Sequence, residues 1–179
     1  MSVFSNPKSG AADAAAAYIA ALLDLLADRD PMPLLRATTV QLRHAIEGVP
    51  LEVLRRPEKP GKWSAVEVVQ HLADSELVWS YRMRLVAAED RPTLTGYDQD
   101  AWATGLQYRD VDPADAIQQF ALLRRLNLKL LDSLPPGGLA RVGVHNERGD
   151  ESLGHMVRLY AGHDLLHLRQ LERVLAAVR

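Results

Sequence analysis

Between Ser152 and Val178, the positions Leu153, Val157, Tyr160, Asp164, His167, Leu171 and Val174 recur at 4-3-4-3 spacing. That interval returns to one side of an α-helix every two turns, so the segment predicts a long helix with its seam turned toward neighbours. The same period, anchored by end signals, predicts further helices upstream. Ala11 to Asp28 carries Tyr18, Leu22, Leu25 and Leu26 on one face. Asp30-Pro31 supplies an N-cap followed by proline at the first helical position, opening a helix through Leu35, Thr38, Leu42 and Ile46 to about Glu47, where Gly48-Val49-Pro50 ends it. Ser64 and Glu67 have capping-box spacing, and Trp63 and Val68 are placed for a hydrophobic staple, so helix is expected from Ala65 to about Glu89. Asp112-Pro113 starts another helix to about Ser133, with Ile117, Phe120, Leu123, Leu126 or Asn127, and Leu130 inward, before Pro135-Pro136-Gly137-Gly138.

Between these segments, Met1 to Gly10 reads as a frayed terminus, and Val49 to Lys62 as a connection with one helical turn at Leu51 to Leu54. Asp90 to Val111 is long for a bundle connection and carries Tyr97, Trp102 and Tyr108, read as packing anchors. A stretch of that length can run the bundle's full height and make the helices it joins parallel. Leu139 to Asp150 reads as a polar loop, and no alternating strand pattern is evident. The expectation is an all-α chain forming one domain over residues 1–179: a four-helix bundle with an extra helix within residues 1–29.

Composition narrows the chemistry. There is no cysteine, so disulfides, thiolate clusters and cysteine nucleophiles are excluded, and any metal must use His, Asp or Glu. A net charge of -2, with both signs interspersed, argues against nucleic acid. Met1 to Gly10 has no apolar signal-peptide core, and Asp13 and Asp24 interrupt the Ala-rich run, so no membrane attachment is expected and residence is read as cytoplasmic. Arg82, Arg84, Glu89 and Arg91 read as a solvated helix face, and Arg124 and Arg125 carry no anion motif. Glycine-rich phosphate loops and Gly-x-Ser-x-Gly elbows are absent.

The candidate chemistry lies in Gly162-His163-Asp164-Leu165-Leu166-His167. Two imidazoles four residues apart stack on one helix face, ~6 Å apart along the axis, close enough to share one cation. A catalytic zinc-type centre takes three protein ligands, and His71, about two turns into its own helix, is the best third candidate. Asp164 departs from the His-Glu-x-x-His pattern by one methylene, which favours a supporting role over that of general base. His145, Glu147 and Arg148 form a polar cluster that is a candidate for lining the site, while His44 and His155 read as ordinary surface or packing residues.

Taken in order, Gly61-Lys62-Trp63-Ser64, His71-Leu72-Ala73-Asp74-Ser75-Glu76, the Arg82 to Trp102 stretch, His145-Asn146-Glu147-Arg148-Gly149 and His163 to Gln170 resemble the DinB-like, or DinB/YfiT, superfamily of proposed metalloenzymes. The resemblance covers about Asp30 to Arg173. It implies an up-down-down-up four-helix bundle, commonly a homodimer, with a divalent metal on His71, His163 and His167. A proline often follows the loop histidine in that family, whereas this chain has Asn146. Zinc or nickel suits three imidazoles best, with iron or manganese as alternatives. The resemblance also implies a small-molecule substrate and a low-molecular-weight thiol as cosubstrate, for S-transfer or hydrolysis at a small electrophile. The competing expectation is a non-catalytic dimeric bundle acting in sequestration or protein interaction.

Overall fold

Each periodic segment forms a helix, and the side chains read as caps close the helix ends. The structure, a computed structural model, describes residues 12–179, with side chains from Ala15 onward; the frayed start expected at Met1 to Gly10 lies outside them. Helix α1 spans Ala12–Leu26 and α2 Pro31–Ile46, the latter capped by Asp30, whose carboxylate accepts the Met32 N–H at 3.0 Å. The single turn α3 covers Leu51–Leu54 and α4 covers Ala65–Ala88. At the start of α4 the capping box is formed in both directions: Ser64 Oγ accepts from the Glu67 N–H, and Glu67 Oε2 accepts from the Ser64 N–H at 2.7 Å. After β1 (Thr93–Leu94), α5 (Gln99–Gly105) and a 3-10 turn come α6 (Pro113–Asp132), β2 (Val142–His145), β3 (Gly149–Ser152) and α7 (Leu153–Val178).

Side-chain pairs give the directions of the bundle helices. Arg36 near the start of α2 meets Asp132 at the end of α6, so those two run antiparallel. Glu76 meets Arg124 and Ser80 meets Asn127, so α4 and α6 run parallel. Thr38 of α2 reaches Asp164 of α7, and farther along both helices His44 and Ala45 lie with Leu168 and Glu172, a parallel pair. His71 faces His163 while Trp79 stacks on Tyr160, an antiparallel pairing of α4 with α7. The result is an up-down-down-up bundle of α2, α4, α6 and α7, with α1 laid on α7. The long connection after α4 is what permits two consecutive bundle helices to run the same way.

All seven seam positions of α7, from Leu153 to Val174, are buried. Burying a Leu or Val side chain contributes roughly 1.5–3 kcal/mol. Gly162 sits where α1 crosses: a Cβ there would lie 2.4 Å from the Leu22 carbonyl oxygen, so the glycine permits direct backbone contact beside His163.

The structure differs from the sequence reading in three places. First, the stretch read as a polar loop is a hairpin, β2 antiparallel to β3, and β1 joins β2 in parallel to make a small three-stranded sheet. Its inward positions on β2 are Gly143 and His145, so no apolar alternation marks it. Asn146 extends this sheet, donating its backbone N–H to the Leu94 carbonyl at 3.0 Å, a bond proline could not make. Its side-chain oxygen accepts the Gly96 N–H. Second, the inward row of α6 is Ile117, Phe120, Arg124 and Asn127, while Leu126 is exposed. Third, Arg82 is buried, because the chain following α4 folds back over that face and the Thr95 carbonyl accepts from its guanidinium.

Candidate metal centre

The second turn of α4 and the middle of α7 bring three histidines to one point in the core. His71, His163 and His167 are all buried, and one ligand-capable atom from each lies within 4.8 Å of the others. The Nε2 atoms of His71 and His163 are 3.2 Å apart. Two nitrogens held ~2.0–2.1 Å from a tetrahedral zinc lie at about that separation. His167 Nδ1 donates to Gln170 Oε1 at 2.8 Å, which leaves the Nε2 lone pair facing inward. The Nδ1 atoms of His71 and His163 are buried without a hydrogen-bond partner among the described residues.

Burial sets the protonation of this cluster. Desolvation is the main cause of depression at all three rings, and it pushes His163 down to about 3, with nearby Arg124 adding to the effect. His71 and His167 are also held well below the ordinary imidazole range, His71 disfavoured further by both neighbouring histidines and His167 by His163, against the smaller opposing pull of Gln170 and Asp164. At neutral pH the site therefore presents three uncharged imidazoles with lone pairs available to a cation. The donor set fits a divalent transition metal.

The ring of His71 packs against Trp63, with centroids 5.0 Å apart, and Ser75 Oγ lies 3.4 Å from its Nε2. Behind the cluster, Arg124 forms a tie that touches all four bundle helices. It donates to Glu76 of α4 from Nε and Nη2, to Asp164 of α7 from Nη1 and Nη2, and to the Leu35 carbonyl of α2. Thr38 and Asn127 complete the set, donating to Asp164 at 2.7 Å and Glu76 at 2.7 Å. Both carboxylates meet only donors, a pattern that suits an ionised carboxylate; burial nonetheless pushes the Glu76 pKa up to about 7, against the opposing pull of Arg124. Asp164 thus anchors the turn of α7 that carries the two histidines. Glu76 closes the His71 to Glu76 motif without a role assigned to it there, and Arg124 stands out by neither motif nor spacing; the one further sequence signal is that this glutamate falls within the apolar core stretch of α4, where burial requires an inward cation.

A cavity of about 60 Å³ opens against His163. Arg148 stands in its wall, as do Ser75, Arg82 and Tyr97, and the Tyr97 hydroxyl meets Ser75 Oγ at 2.9 Å. Tyr97 therefore does more than anchor the connection, whereas Tyr108 is an anchor, donating to Asp74 at 2.6 Å. His145 and Glu147 are in the hairpin and form no part of this wall.

His145 is buried, its Nδ1 accepting the Glu147 N–H at 3.2 Å, so its proton resides on Nε2. Desolvation first, then Arg148 and Arg82, push its pKa down to about 4, against the opposing pull of Glu151. Below the ordinary value of 6.5 the unfolded chain takes up a proton that folded His145 refuses until about pH 4. Stability therefore falls as pH drops through that window, by about 3 kcal/mol from this residue. Urea unfolding of wild type and His145→Gln across the window is expected to show a shallower decline in the variant; equal slopes would contradict this.

A parallel-and-antiparallel helical bundle that gathers three histidines in its core defines a protein of the four-helix class with a candidate metal site. This chain belongs to the DinB superfamily, whose family model matches residues 34–171. Among its relatives, a protein of Oceanobacillus iheyensis is 28% identical over 77% of this chain and 76% of its own length. A Bacillus licheniformis relative is 30% identical over 73% of this chain and 75% of its own. YfiT of Bacillus subtilis is 29% identical over 78% and 80%. All three are provisionally named metal-dependent hydrolases. The solved structure of B. subtilis YfiT, described as having an unusual four-helix bundle topology, superposes with a TM-score of 0.73 at 25% identity, covering 82% of this chain and 86% of that one. Among the described residues, no helix is long and apolar enough to cross a membrane.

Proposed function

We propose that this chain is a metalloenzyme that acts on a small electrophile, by hydrolysis or by S-transfer from a low-molecular-weight thiol, with zinc or nickel on His71, His163 and His167. The observation that carries this reading is the convergence of three buried, neutral imidazoles within 4.8 Å beside a cavity. The names of the relatives support the hydrolase arm, and the absence of cysteine from the chain fits a thiol supplied from outside.

A divalent cation at such a site supplies Lewis acidity, which lowers the pKa of a water or thiol and polarises an electrophile. The chain's own residues do the rest. Gln170 orients His167, while Trp63 and Ser75 confine His71. The hydroxyls of Ser75 and Tyr97 place an exchangeable proton at the cavity wall, and the buried surroundings exclude bulk water.

Elemental analysis of protein purified without chelator is the direct test. Close to one metal per chain is expected in wild type, with loss in His71→Ala and His167→Ala. The loaded enzyme should then consume a generic electrophile or ester in a thiol- or metal-dependent manner that chelation abolishes. Full metal occupancy in His71→Ala would refute the three-histidine site. A loaded protein inert to the whole thiol and ester panel would shift the reading to a non-catalytic bundle.

A further inference from the structure

The cavity beside His163 has in its wall an arginine that no carboxylate hydrogen-bonds among the described residues. Two arginines line it, and their situations differ. Arg148 is matched by Glu151, donating from Nε at 2.6 Å and from Nη2 at 2.8 Å in a two-point pair. Arg82 has no such match. It is 6% exposed, its Nη2 donates to the Thr95 carbonyl, and its Nε is buried without any hydrogen-bond partner among the described residues. Arg148 opposes its charge, while Glu151, already engaged by Arg148, and Glu147 favour it without a hydrogen bond to it among the described residues. Burial lowers the Arg82 pKa only to about 10, so the group stays charged at neutral pH.

A buried cation with a free N–H calls for an anionic acceptor, and a guanidinium fork matches the two oxygens of a carboxylate. The space fits that group: about 60 Å³ admits a few heavy atoms. Ser75 and Tyr97 add hydroxyls to the same wall, and Ile19, Val78 and Leu159 line it with apolar surface. His163 closes the cavity on the side of the histidine cluster.

We propose that Arg82 binds the carboxylate of an acid-bearing small-molecule substrate, holding its reacting centre toward His163. This rests on the metalloenzyme reading for its catalytic meaning, but the binding site is a property of Arg82 and exists without metal. Substrates lacking the acid group are excluded from tight binding, because Arg82 would then remain buried and unmatched.

The test follows the Arg82 Nε–H signal by ¹⁵N NMR in the full chain, metal-free and zinc-loaded, during titration with acetate and with acetamide as the neutral control. Acetate is expected to shift the signal saturably in both forms, and acetamide in neither. Acetate binding, read on neighbouring backbone amides, should be about tenfold weaker or more in Arg82→Met and in Arg82→Lys, which keeps the charge but loses the fork. Circular dichroism verifies that the variants fold, and the wild-type comparison of acetate with acetamide stands without them. An equal response to acetamide would overturn the proposal, as would unchanged acetate affinity in folded Arg82→Met. Acetate binding seen only with zinc and lost in His163→Ala would also overturn it, while leaving the metal site intact. Acetate binding in metal-free protein that takes up no zinc would uphold the Arg82 site and refute the metal reading.

Discussion

Replacing Arg124 by leucine is expected to destabilise the fold by about 3–5 kcal/mol, because Glu76 and Asp164 would be left as unpaired buried carboxylates. Both acids are at most 1% exposed, and Arg124 itself is 2% exposed, so water cannot take over the lost contacts. Its guanidinium also lies 4.5 Å from the ring centroid of Phe120 and 4.6 Å from that of Tyr160, contacts that leucine replaces only partly. For a chain of this size each kcal/mol shifts the thermal midpoint by roughly 2–4 °C. A drop of about 6–20 °C in thermal unfolding is therefore expected. The triple change Arg124→Leu, Glu76→Leu and Asp164→Leu should recover part of that loss, since it removes the charges together. A single-variant loss below about 1 kcal/mol would mean the tie is not ionised as its donor pattern requires.

Divalent metal should raise stability by a comparable amount. A ligand that binds only the folded state adds about 4 kcal/mol at a thousandfold excess over its Kd, a midpoint rise of about 8–16 °C here. The three candidate ligands come from two helices, His71 on α4 and the other two on α7, so a cation held by all three would clamp an antiparallel pair that unfolding must separate. In His71→Ala the remaining pair sits on α7 alone and no longer bridges helices, so most of the rise should vanish. Thermal unfolding with zinc and with chelator checks this; the same shift in wild type and His71→Ala would place the metal elsewhere.

The histidine cluster is legible in the sequence because its spacing is helical. His163 and His167 share a face by period alone, and the seam that includes His167 and Asp164 reads as inward along the whole of α7. The Arg124 tie is not legible in the same way. Reading α6 by period selects Leu123 and leaves Leu126 and Asn127 as alternatives, yet the row facing the core takes Arg124 in place of Leu123 and runs on through Asn127. A hydrophobic scale ranks arginine outward, and only the two carboxylates opposite it, brought from α4 and α7, make its burial favourable. Arg82 escapes a reading by period for a related reason: its burial comes from a chain segment that returns over α4 through Thr95, which helical periodicity cannot register.

The hairpin shows the opposite limit. Strands of two to four residues are too short to display a period, and with Gly143 and His145 as the inward positions there is no apolar alternation to find. By itself the sequence determined the helices, their caps, the inward seam of α7 and the His163 and His167 pair, because these follow from local geometry and residue chemistry, whereas His71 as the third candidate ligand rested on the family resemblance. Tertiary structure alone decided which charges are buried, how Arg124 joins four helices, and that Arg82, with no carboxylate hydrogen-bonded to it among the described residues, lines the cavity beside His163. Those outcomes depend on what another part of the chain places opposite each group, since the cost of burying a charge is set by its partners.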